Sequence, residues 1–264
     1  ELLTSAVVIN PEDAQSIQTE LSRSKISTDT SVKSNRKGFE YLNELFIKRH
    51  QKLLWKPSQR ITAVVIMLLS IVLIVLQFVP EIKGGINKGI MGCLPYTVFI
   101  MYAINRGTGF TQALFINCDH SLLTYSFYKQ PKNILKLFWI RLREIVKVNL
   151  LPASVIGGGL ALLLFATGGT DNPLNYVVLF VSVVALSIFF SVHYLMLYYL
   201  LQPYNAGTEI KSGTYQFMTS VTYFVCYMTM QVKMSTVIFG IMTIVFCVIY
   251  CIVASILVYK LAPK

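Results

Sequence analysis

Apolar residues gather into six runs, near Ile61 to Val79, Ile86 to Ile104, Val148 to Ala166, Leu174 to Leu201, Thr214 to Gln231 and Thr236 to Leu261. Each comes close to or exceeds the roughly 20 residues that a helix needs to cross a ~30 Å hydrocarbon layer. Lipid offers backbone groups no water to bond, so a run of this kind is helical. Spanning β-strands are nearer ~10 residues and alternate apolar with polar positions, a pattern these runs lack. The chain is therefore predicted to be an all-α polytopic membrane protein with six transmembrane helices.

The polar intervals supply the rest of the plan. Pro11 to Ser34 is rich in Ser, Thr, Gln and Asp with no helical period, and residues 1–38 are predicted to be a cytoplasmic linker. From Phe39 the pattern changes: Phe39, Leu42, Phe46 and Leu53 recur at helical spacing, with Glu40, Glu44, Lys48 and Lys52 as a charged stripe opposite. This predicts an amphipathic helix within 39–56 that reaches Trp55 and is stopped by Pro57. Its charged face and its Trp suit a position along the membrane surface, ahead of a transmembrane region over 57–264.

The interval 105–147 is the longest polar stretch between apolar runs. Asp119 or Ser121 is predicted to cap a short helix over Leu122 to Tyr128, ended by Pro131. A second amphipathic helix then puts Ile134, Leu135, Phe138, Leu142, Ile145 and Val146 on one face, with Lys132, Lys136, Arg143 and Lys147 opposite, and leads into the third run at Asn149 and Pro152.

Composition and charge narrow the class. At 55% hydrophobic and 13% charged residues, with a mean hydropathy of +0.60, the chain has more apolar side chains than a water-soluble core hides. A net charge of +11 raises nucleic acid as a partner, but the cations flank apolar runs, where they orient the protein and meet lipid headgroups. With the N-terminal region inside, the inner segments hold twenty Lys and Arg against three (Lys83, Lys88, Lys233) outside, so both ends are predicted to be cytoplasmic. The outer connections PEIKGGINK, GGTDNP and VKMS are too short for a capture domain. The chain opens on Glu1 and ends on Lys264, close after its last apolar run, and it is expected to be part of a longer or processed polypeptide.

Candidate chemistry is sparse. Cys93, Cys226, Cys247 and Cys251 fall within apolar runs and read as packing residues, although Cys247 and Cys251 are one helical turn apart. Cys118, Asp119 and His120 resemble a ligand or nucleophile set, but adjacent side chains diverge, which favours a helix cap and a contact surface. His193 lies inside the fourth run. It is either a proton or substrate group or a neutral His bonded to a neighbouring helix. Gly89 and Gly92 in the second run and Gly157 to Gly159 in the third permit close helix approach or a local break. Tyr194, Tyr198, Tyr199 and Tyr204 suit headgroup depth or a lipophilic path. GxxxxGK[ST], HExxH, GxSxG and GxGxxG are all absent, so no nucleotide or hydrolase chemistry is read in these residues.

The layout resembles the permease half of a bacterial ABC-2-type (type V) exporter. FINCDHSLLTYSFYKQPKNILKLFWIRL, FFSVHYLMLYYLLQPYNAGTEIK and ILVYKLAPK look like segments of a Firmicutes family of ABC exporters. The likeness covers residues 39–264, and the VKMS connection lacks the small re-entrant helices that many members carry. It implies six spans with both ends inside, an elbow helix with Phe39, Leu42, Phe46, Leu53 and Trp55, and a coupling helix between spans two and three. The coupling residues it implies are Phe115, Asn117, Asp119, Ser121, Leu122, Leu123, Tyr125, Tyr128 and Lys129, docking on a separate ATPase subunit that carries ATP and Mg, with no cofactor in this chain. A second transmembrane unit and the lipid bilayer are the other implied partners, in a bacterial cytoplasmic membrane. The expected function is outward movement of an amphipathic or lipophilic substrate, on a path with His193, Tyr194, Tyr198 and Gln216. Two other classes stay open: a six-span sensor feeding a kinase, and an intramembrane enzyme using Asp119, His120 and His193.

Overall fold

The computed structural model describes residues 35–119, 125–126, 130–204 and 212–262, and these are helical with no strand among them. The chain divides into two units, 1–56 and 57–264.

In the first unit, α1 (Phe39–Arg49) follows Gly38, whose φ of 63° is the left-handed geometry that glycine adopts without strain. The charged stripe forms as expected: Lys48 Nζ lies 2.8 Å from Glu44, and Arg36 adds contacts to Glu40 at 2.9 Å and Glu44 at 3.3 Å. The buried positions differ from those expected. Asn43, Phe46, His50 and Leu54 are buried, whereas Leu42 is exposed and Phe39, Leu53 and Trp55 are half-buried. The break also moves. The helix turns at His50 and restarts as α2 (Gln51–Phe78), which runs straight through Pro57.

The second unit is built around α7 (Leu174–Leu201), the helix most enclosed by its neighbours. Its packing partners are α6 (Pro131–Ala166), α9 (Thr236–Leu261), α4 (Leu94–Ile104) and α5 (Gly107–Leu114). Leu179, Val183 and Phe190 of α7 fill a core shared with Leu94 and Met101 of α4 and Leu164 of α6. The outer faces of α2 and α9 are almost wholly exposed apolar residues. α2, α6, α7 and α9 are long and apolar enough to cross a membrane, so four of the six expected spans have that form.

The other two differ. The second run is divided into α3 (Lys83–Met91) and α4, with Gly92 and Cys93 between them. Gly89, Gly92 and Pro95 weaken the helix there, and Pro95 has no N–H to offer the carbonyl of Met91 four residues back. The hydroxyl of Thr236, first residue of α9, donates to that carbonyl instead. The fifth run is α8 (Gly213–Thr229), whose 17 residues rise about 26 Å, short of a ~30 Å hydrocarbon layer.

The third run and the amphipathic helix expected before it are one 36-residue rod, α6, with Pro131 at its first turn and Pro152 inside. Pro131 opens α6, because the first turn has no intrahelical use for the missing N–H. Pro152 is tolerated by the device seen at Pro95. It leaves the Val148 carbonyl without its helical donor, and Ser58 Oγ of α2 donates to that oxygen at 2.6 Å.

Candidate functional site

The most polar buried point lies where the interval before α6 meets the foot of α6 and the end of α7. After α5 the chain makes a π-helical turn over Phe115–Asp119 that swings the Asp119 carboxylate inward. Asp119 is 2% exposed and Arg141, on the packed face of α6, 3%. Arg141 Nη2 donates to Asp119 Oδ1, and Nη1 donates both to Oδ2 at 2.6 Å and to the Tyr199 hydroxyl at 2.5 Å. Tyr198 completes the set by donating to Oδ2 at 2.6 Å.

Aromatic rings close the site off from water. The Tyr199 ring lies under the guanidinium with its centroid 5.7 Å from Cζ, and Phe138 meets it edge-on at 5.9 Å. Phe115 packs against Tyr204 at 5.5 Å, and Tyr204 against Tyr198 at 5.9 Å. The Tyr204 hydroxyl lies 3.0 Å from Thr111 Oγ1 of α5, and burial pushes its pKa above the usual phenol range. Burial likewise pushes the neighbouring Cys118 thiol up, with Arg141 partly opposing, so the sulfur is a protonated, poor nucleophile. Both carboxylate oxygens of Asp119 are taken. The arrangement suits holding a turn against two long helices better than proton transfer.

A second set of bonds sits next to it. Asn149 of α6 donates to Ser191 of α7 at 2.9 Å and accepts from the Arg106 backbone N–H, in the α4–α5 turn, at 3.0 Å. Gly107 follows, so close to α7 that a Cβ there would lie 2.5 Å from the Cβ of Tyr194.

His193 belongs to a third, neutral set. Thr222 of α8 donates to the Met218 carbonyl at 2.7 Å, so its lone pair is free to accept from His193 Nε2–H at 3.0 Å. Nδ1 is then the acceptor for the Tyr250 hydroxyl of α9 at 2.6 Å. This tautomer leaves neither ring nitrogen vacant and ties three helices together.

The residues singled out from sequence are distributed as follows. Phe115 is half-buried against Tyr204, Asn117 bonds the Ala113 carbonyl at 2.9 Å, and Asp119 is turned inward to Arg141. Tyr125 is 63% exposed. Ser121, Leu122, Leu123, Tyr128, Lys129 and His120 lie outside the described residues, as does the short helix expected over 122–128. His193, Tyr194 and Tyr198 share α7 but meet α8 and α9, Gly107 and Asp119 respectively, while Gln216 is at an exposed position. Asp119 and His193, joined in the intramembrane-enzyme reading, are held by separate partners. Among the described residues no three of His, Cys, Asp and Glu gather as a metal site.

Arg141 escaped the sequence reading, although a signal was present. It falls at the spacing of Ile134, Phe138 and Ile145, on the apolar face of an amphipathic pattern, and a cation there needs a buried anion. No family model, curated protein or solved structure matches the chain. What these observations define is a class: an all-helical protein with four apolar helices long enough to cross a membrane.

Proposed function

We propose that the chain is the transmembrane subunit of an ATP-driven exporter, multi-pass in a bacterial cytoplasmic membrane, working with a separate ATPase subunit and a second transmembrane unit. The observation that carries this reading is the Asp119–Arg141 pair, which fastens a turn between α4 and α6 to two of the long helices. A push on 106–130 from a nucleotide-driven partner then moves α6 and α7 together instead of deforming a loose loop. In this reading all six apolar runs lie in the membrane with both ends inside, α1 is the elbow helix, and ATP and Mg sit on the partner. Spans rich in aromatic and poor in charged residues favour an amphipathic or lipophilic substrate moving outward.

Tyr125 is exposed and gives a direct test. With p-benzoyl-phenylalanine at this position in native membranes, irradiation should yield an adduct whose second polypeptide, by mass spectrometry, carries a phosphate-loop ATPase domain. Adducts with a histidine kinase or response regulator, or none with an ATPase, would overturn the assignment.

A further inference from the structure

One row of side chains runs the length of α6 and changes character along the way. Lys132, Lys136, Trp139, Arg143 and Lys147 are exposed and follow one another at three or four residues, the spacing of a single helical face. At the same spacing the row continues through Leu151, Ser154, Gly158, Leu162 and Phe165. A Cβ on Gly158 would meet open space, and Leu162 and Phe165 are 51% and 73% exposed, so this half of the row faces acyl chains. Arg141 points the other way, into the protein. Glu144 contacts both Arg143 at 3.2 Å and Lys147 at 2.9 Å, and one carboxylate between two cations leaves the row positive.

We infer that this row is a lipid-recognition seam, whose basic half takes the headgroups of anionic phospholipids in the leaflet at the N-terminal end of α6. One feature favours lipid over a soluble acidic partner: the basic face is continuous with the one turned to acyl chains. Geometry also grades the contribution of each cation. If hydrocarbon begins at Val148, a 1.5 Å rise puts Arg143 roughly 8 Å and Lys132 roughly 24 Å along the axis. The headgroup layer is about 5–8 Å deep on each side, and the field of an anionic surface fades over roughly 8 Å in physiological salt. Lys147 and Arg143 therefore bind headgroups directly, while Lys136 and Lys132 contribute little. The inference is independent of the transport reading.

The test uses the full chain with Trp55→Phe, which leaves Trp139 as its sole Trp, in phosphatidylcholine vesicles. Energy transfer from Trp139 is measured to a pyrene-labelled acyl chain carried by phosphatidylglycerol or by phosphatidylcholine. Transfer should favour phosphatidylglycerol and saturate as its mole fraction rises. At about fivefold per headgroup-bound cation, Arg143→Gln with Lys147→Gln should raise the half-saturating fraction by tenfold or more. Lys132→Gln with Lys136→Gln should change it less than twofold. Helical circular dichroism matching the parent's shows that each variant is folded, as expected for substitutions at exposed positions. Equal transfer to both lipids, or a larger effect from the Lys132 and Lys136 pair, would overturn the inference, the second pointing to a soluble acidic partner.

Discussion

Two of the interhelical polar knots in the second unit are built on opposite principles. The Asp119–Arg141–Tyr198–Tyr199 knot is ionic and ties a non-spanning turn to the ends of α6 and α7. The His193–Tyr250–Thr222 knot is neutral and ties three apolar helices deep in their length. Removing one ion from a buried pair strands the other in low dielectric, whereas removing one hydroxyl from a neutral set leaves only an unpaired lone pair. The first knot is all-or-none. The second tolerates editing, so a switch that must transmit force is better sited at the first.

That contrast can be broken by measurement on the detergent-solubilised protein. Arg141→Met or Asp119→Leu should each cost about 3–5 kcal/mol, seen as a large drop in thermal midpoint. The double variant should regain most of the loss, because neither charge is then stranded. On the proposed exporter reading, a double variant that is stable but uncoupled in vesicles reconstituted with the ATPase partner shows that the pair transmits force; full coupling shows that it only holds the fold. Ser58→Ala comes next, since it leaves the Val148 carbonyl freed by Pro152 unpaired, at about 1–3 kcal/mol. Tyr250→Phe should be mildest, around 0.6 kcal/mol for a hydrogen bond between membrane helices. Equal losses for Tyr250→Phe and Arg141→Met would abolish the distinction between the knots.

Much of the fold was legible because lipid-crossing helices are written in long apolar runs. α7 and α9 begin and end where the fourth and sixth runs do. Proline was the poor guide. Pro57 and Pro152 lie inside helices, whereas Pro95 and Pro131 sit in first turns. The hydroxyls that stand in for the missing N–H groups, Ser58 for Pro152 and Thr236 for Pro95, come from residues far along the chain, and no local pattern points to them. The ionic knot was half visible. Asp119 stood out as a possible helix cap beside Cys118 and His120, but its partner lies 22 residues on, among cations that all looked like surface charges.

α6 is held halfway along. Ser58 grips the carbonyl of Val148, and Asn149 grips both Ser191 and the Arg106 N–H. A rod of 36 residues, roughly 54 Å long, is thereby tied at its centre as well as at Arg141, and its far half packs into the core through Leu163 and Leu164. Force applied at the Arg141 end should therefore carry the whole rod along with α7, and paired spin labels near Arg141 and Phe165 would report motions of the same sign.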